Sequence, residues 1–118
     1  GGNPVCCAAA STVLEIVSRP EFLRSVWEKW EAIKSRLREG LRGNPHIVSI
    51  RGKGLLIGVE LDMPAAESVA GLFKRGVLAT SAGQNVLRLS PPLVITPEEI
   101  DEGCSHVMDT LLEVTGQV

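Results

Sequence analysis

Arg88 is the residue in this sequence best suited to recognition chemistry. It is the lone charge in Asn85–Ile95, NVLRLSPPLVI, an apolar span broken by Pro91 and Pro92. A guanidinium is planar, forked and permanently charged, so one held on a rigid strand suits two-point binding of a carboxylate. Strand alternation puts Arg88 on the face of Val86 and Ser90, opposite Leu87 and Leu89. A solvated strand arginine and a structural ion pair fit the same residues, and the span alone leaves all three readings open.

Other reactive groups offer less. Cys6, Cys7 and Cys104 have no C-x-x-C spacing, and with only two histidines, His46 and His106, neither a zinc site nor a disulfide framework is expected. Small apolar neighbours make buried, inert thiols the simpler reading. His46 falls in a turn after Asn44-Pro45, and His106 stands three residues from Asp109, with no motif around either. Asp62, Glu60 and the Glu98-Glu99 pair read as strand-end and cap residues rather than a paired acid and base. Arg51 could point to a functional cleft, but an arginine at a strand end reads more simply as solvated. Gly52-Lys53-Gly54 is not followed by the helix that a dinucleotide fingerprint requires, so it reads as a turn.

The elements that position Arg88 follow from periodicity and punctuation. Asn3-Pro4 opens a helix to about Val17 that is apolar around most of its circumference. Ser18 and Glu21 have capping-box spacing for a second helix, with Phe22, Val26, Trp30, Ile33, Leu37 and Leu41, joined by Leu23 and Trp27, as its apolar face. Ile47–Arg51 and Leu55–Leu61 read as a hairpin. A short helix from Asp62-Met63-Pro64 to about Arg75 carries the stripe Ala66, Val69, Ala70 and Phe73, and Gly76 ends it. Val77–Thr80 and Asn85–Ser90 are strands. Thr96-Pro97-Glu98-Glu99 combines a cap, an N1 proline and an N3 glutamate, with Ile95 and Ile100 spaced as a hydrophobic staple. The last helix buries Ile100, Cys104, Val107, Met108, Leu111 and Leu112. The order predicts an α+β two-layer sandwich, a small and mostly antiparallel sheet covered by helices.

Composition narrows the function classes. The chain has 118 residues, 44% hydrophobic and 22% charged, the size and make-up of one globular domain. Net charge is -2, basic and acidic residues are interspersed, and there is no tyrosine, so no nucleic-acid partner is expected. No apolar run reaches the roughly 20 residues of a bilayer span, so a soluble protein without a membrane partner is expected, and the cysteines read most simply as reduced, intracellular thiols. The opening Gly1-Gly2-Asn3-Pro4, without methionine or a targeting segment, reads as a piece of something longer.

Several separated motifs together resemble a known family. Gly1-Gly2-Asn3-Pro4 leads into a small-residue helix. Arg51-Gly52-Lys53-Gly54-Leu55 runs into Gly58-Val59-Glu60-Leu61, and Asn85-Val86-Leu87-Arg88 is followed by Pro91-Pro92-Leu93 and Thr96-Pro97-Glu98-Glu99-Ile100. In this order they resemble the class-III pyridoxal-phosphate aminotransferases, above all the acetylornithine branch. The resemblance implies that residues 18–118 are the C-terminal small domain of a fold-type-I enzyme and residues 1–17 the helix leading in from a large domain. It implies that Arg88 grips the substrate carboxylate, and that Gly1, Gly2 and Asn3 lie near the cofactor of a partner subunit. The implied reaction moves the terminal amine of N-acetylornithine, or of ornithine or a similar donor, to 2-oxoglutarate in arginine biosynthesis. The cofactor is pyridoxal 5'-phosphate, the assembly a homodimer, and the compartment cytoplasm, mitochondrion or plastid. The lysine that carries the cofactor belongs to the large domain in the family and matches no position here, so this chain alone is expected to be inactive. The competing expectation is a non-catalytic α+β module for a small acid or for association.

Overall fold

A computed structural model describes residues 20–53, 56–91 and 95–117. The expected first helix, Gly1 to Asn3, Cys6, Cys7 and the Ser18 cap lie outside these residues. The described elements are α1 (Pro20–Gly40), β1 (Ile47–Lys53), β2 (Leu56–Leu61), α2 (Ala66–Lys74), β3 (Thr80–Ala82), β4 (Val86–Leu89) and α3 (Pro97–Thr115). The strands form one sheet in the order β1-β2-β4-β3, every neighbouring pair antiparallel. Ile50, Ile57, Val59, Leu61, Leu87 and Leu89 point to one side and join buried residues of all three helices in a single core. The two-layer α+β sandwich is the observed architecture.

The long helix α1 buries Val26, Trp30, Ile33 and Leu37, at steps of four and three residues. Leu23 and Trp27, expected on that face, are exposed instead, at its edge, with Trp27 packing edge-on against Trp30 at a ring separation of 5.7 Å. Arg38 donates to the carbonyl of Ile50 at 2.7 Å, tying α1 to edge strand β1.

The hairpin ladder runs closer to its turn than expected, through Gly52↔Ile57 and Lys53↔Leu56. At its other end an irregularity between Ile47 and Ser49 shifts the register. Ile47 and Ile50 both reach the core despite their odd separation, while Val48 is exposed.

Two expectations for the middle of the chain are corrected. The helix starts at Ala66 rather than near Asp62: Asp62 is engaged by His46, and the N-cap is Ala65, which has no capping side chain. Its buried stripe is Ala65, Ser68 and Leu72, and Phe73 is 68% exposed. Strand β3 begins at Thr80, not Val77, because the chain is still leaving α2: Gly76 takes φ +83 and the Val77 amide bonds back to the Leu72 carbonyl.

The start of α3 is as expected. The Thr96 hydroxyl accepts from the Glu99 amide at 3.1 Å and Glu99 accepts from the Thr96 amide at 3.0 Å. These bonds hold the Glu99 carboxyl below its usual range, the backbone bond first and the hydroxyl second. Ile100, Cys104, Val107 and Leu111 are buried as expected, but Thr110 and Thr115 are buried in preference to Met108 and Leu112, which are half-buried. Gly116 closes the helix at φ +72.

Candidate functional site

Alternation along β4 buries Leu87 and Leu89 and turns Arg88 to the opposite side of the sheet, which no helix covers among the described residues, as the sequence predicts. Its surroundings follow from register. Gly58 of β2 and Thr80 of β3 are its direct partners, and Gly58 is paired in turn with Arg51 of β1. Directly paired residues share a face, so Arg51, Gly58, Arg88 and Thr80 form one row across the sheet. At about 4.8 Å per strand, the two arginine backbones stand about 10 Å apart.

The next row is Ser49, Glu60, Val86 and Ala82. Glu60 is therefore no strand-end residue. It accepts from Arg51 Nη2 at 3.1 Å and from Ser49 Oγ at 3.2 Å. Arg51 is exposed, as expected, but ion-paired; Arg88 makes no ion pair among the described residues. The Glu60–Arg51 pair was not visible in the sequence. Its only signal was Gly58, a glycine inside a strand run, which often marks a place where something approaches the backbone closely.

A separate apolar cleft of about 490 Å³ opens on the helix side, lined among others by Ile33, Leu37, Leu89, Ile100, Cys104 and Val107. It does not contain Arg88. Burial pushes the Cys104 thiol up, against a smaller opposing effect of Arg36, which makes the thiolate scarce and Cys104 inert. His46 Nδ1 sits 3.0 Å from Asp62, and His106 lies 3.6 Å from Glu102 rather than near Asp109. Among the described residues no group of histidine, cysteine or carboxylate side chains could hold a metal ion, and no helix is long and apolar enough to cross a membrane.

The sequence model of class-III aminotransferases matches residues 1–111. The chain belongs to the class-III aminotransferases. It is 40% identical to the acetylornithine aminotransferase of Bacillus subtilis over 111 residues, covering 94% of this chain and 29% of that protein. The mitochondrial acetylornithine aminotransferase of Alnus glutinosa is also 40% identical, over 93% of this chain and 25% of its own length. The fold matches the ornithine aminotransferase of Toxoplasma gondii with a TM-score of 0.83 at 32% identity, over 100% of this chain and 29% of that one. The N-acetylornithine aminotransferase of Stenotrophomonas maltophilia matches at 0.82 and 26% identity, with 100% and 34% covered. This class-III chain thus spans between a quarter and about a third of the length of these relatives.

Class-III aminotransferases depend on pyridoxal phosphate. The described residues do not fit that group. Lys29 and Lys34 stand on α1 and Lys74 on α2, in the layer behind the sheet from Arg88, Lys34 is held by Glu31 at 2.6 Å, and Lys53 ends β1, two strands away from the strand of Arg88. A covalent cofactor needs a lysine at the site and an anion cradle for its phosphate, and neither stands beside Arg88 among the described residues.

Proposed function

We propose that this chain supplies the substrate-carboxylate clamp of an aminotransferase that moves the terminal amino group of N-acetylornithine to 2-oxoglutarate, as part of arginine biosynthesis. The observation that carries the reading is Arg88: a guanidinium in the inner strand β4, exposed on the helix-free face, with no ion pair among the described residues. Its backbone is held on both sides by pairing with β2 and β3, so a ligand carboxylate meets a guanidinium carried on a fixed strand rather than on a loop. The names of the similar proteins support the donor, with ornithine as the second reading because ornithine aminotransferases share the fold just as closely.

In this reading residues 18–118 form the small domain and residues 1–17 lead into it, with Gly1, Gly2 and Asn3 near the cofactor of a second subunit of a homodimer. Pyridoxal 5'-phosphate is the electron sink and is held by the remaining, larger part of the enzyme. The chain by itself orients substrate and does not catalyse. The enzyme acts in the cytoplasm, or in an organelle where the cell has one.

The test is the complete enzyme carrying this segment, assayed with N-acetylornithine and ornithine in competition and with 2-oxoglutarate as acceptor. Arg88→Ala is expected to weaken donor and acceptor alike by about 2 kcal/mol or more, about a thirtyfold rise in KM, while the absorbance of the bound cofactor stays intact. Unchanged KM values would remove the clamp role, and faster turnover of ornithine would move the assignment to the second donor.

A further inference from the structure

The open face holds one carboxylate within reach of two arginines. Glu60 is paired directly with Ser49 on β1 and with Val86 on β4. Arg51 and Arg88 each stand two residues farther along those strands, so both are diagonal neighbours of Glu60, one on either side. Diagonal backbones are about 7 Å apart, well within the span of a glutamate and an arginine. Sheet geometry alone gives Glu60 the same access to each.

The side chains break this symmetry. On the β1 side Glu60 meets the Ser49 hydroxyl at 3.2 Å as well as Arg51 at 3.1 Å. On the β4 side the residue opposite it is Val86, which has no donor. The carboxylate is committed to β1, and Arg88 makes no ion pair among the described residues.

We propose that Arg51 and Ser49 are positioning residues for the clamp: they hold Glu60 on the β1 side and so keep the Arg88 guanidinium open to a substrate carboxylate. The proposal rests on the reading of Arg88 as the clamp. Without Arg51, the cation that register places nearest to Glu60 among the described residues is Arg88. A carboxylate tethered one diagonal away competes at an effective concentration in the millimolar range or above, which a free substrate must then overcome.

The experiment measures KM and kcat of the complete enzyme with 2-oxoglutarate and whichever amine the wild type uses fastest. Arg51→Gln is expected to raise KM for the carboxylate substrates about tenfold, the effect of a tethered competitor, with kcat nearly unchanged. Adding Glu60→Gln to Arg51→Gln is expected to restore KM to near the wild-type value, because the competitor is gone. Ser49→Ala, which changes no charge, is expected to raise KM by a smaller factor. A double variant as impaired as Arg51→Gln overturns the proposal, since Arg51 would then touch substrate or serve only structure. An unaffected Ser49→Ala also overturns it, leaving a general field of positive charge as the cause of any Arg51 effect. Arg88→Ala is the separate control. If it binds normally, the clamp reading fails and takes this one with it; if it is impaired while Arg51→Gln is normal, only the positioning role is lost.

Discussion

Gly58 stands in register between Arg51 and Arg88, and a Cβ built there would come within 3.3 Å of Val86 Cγ1. That distance is tight but leaves alanine tolerable after a small shift of Val86. A long side chain would instead fill the strip of bare backbone between the two guanidinium groups. Gly58→Leu is therefore expected to raise KM for carboxylate substrates several-fold while the melting temperature changes little. A normal KM in that variant would mean that no ligand passes over Gly58. At this scale the sequence was readable for Arg88, whose facing follows from the leucines on either side. It was silent about Glu60, because the partners that define its role, Ser49 and Arg51, are eleven and nine residues away and meet it only across the ladder.

Among the elements, α3 shows how far local chemistry reaches. Its capping box satisfies two amides at once, so Thr96→Ala is expected to destabilise the fold by about 1 kcal/mol, read as a lower midpoint in urea at constant slope. Glu99 adds a pH dependence with a definite sign. Its carboxyl is lowered in the folded state, so its contribution is complete above the unfolded value of about 4.3 and is lost as pH falls through the lower folded value. The stability difference between wild type and Glu99→Ala is expected to be full at pH 7 and to shrink in acid. A difference that grew in acid would contradict the capping geometry. Helix α3 was legible because both capping partners lie within four residues. Helix α2 was less so: with nine residues and no side-chain cap, its face was set by what packs against it, and Phe73 ended outside while Ser68 went in.

For the molecule as a whole, Leu37, Val59, Leu72, Leu87 and Leu111 are completely buried and bring α1, β2, α2, β4 and α3 into one core. Leu111→Ala should cost about 2 to 5 kcal/mol in thermal or urea unfolding, with the opposite side of the sheet, which carries Arg88, left chemically unchanged. A cost under 1 kcal/mol would mean that the α3 layer is not packed as described. The amino-acid sequence by itself determined the α+β class, the α3 start, the long amphipathic α1 and the outward facing of Arg88. Each of these is a matter of periods and caps within a few residues. Only the tertiary structure decided which groups share a face with Arg88. The register irregularity between Ile47 and Ser49 lets Ile47 and Ile50 both enter the core while Ser49 and Arg51 face outward, and the β2–β4 pairing then sets Glu60 between two arginines. Those facts depend on strand pairings between residues up to some thirty positions apart, which no local pattern specifies.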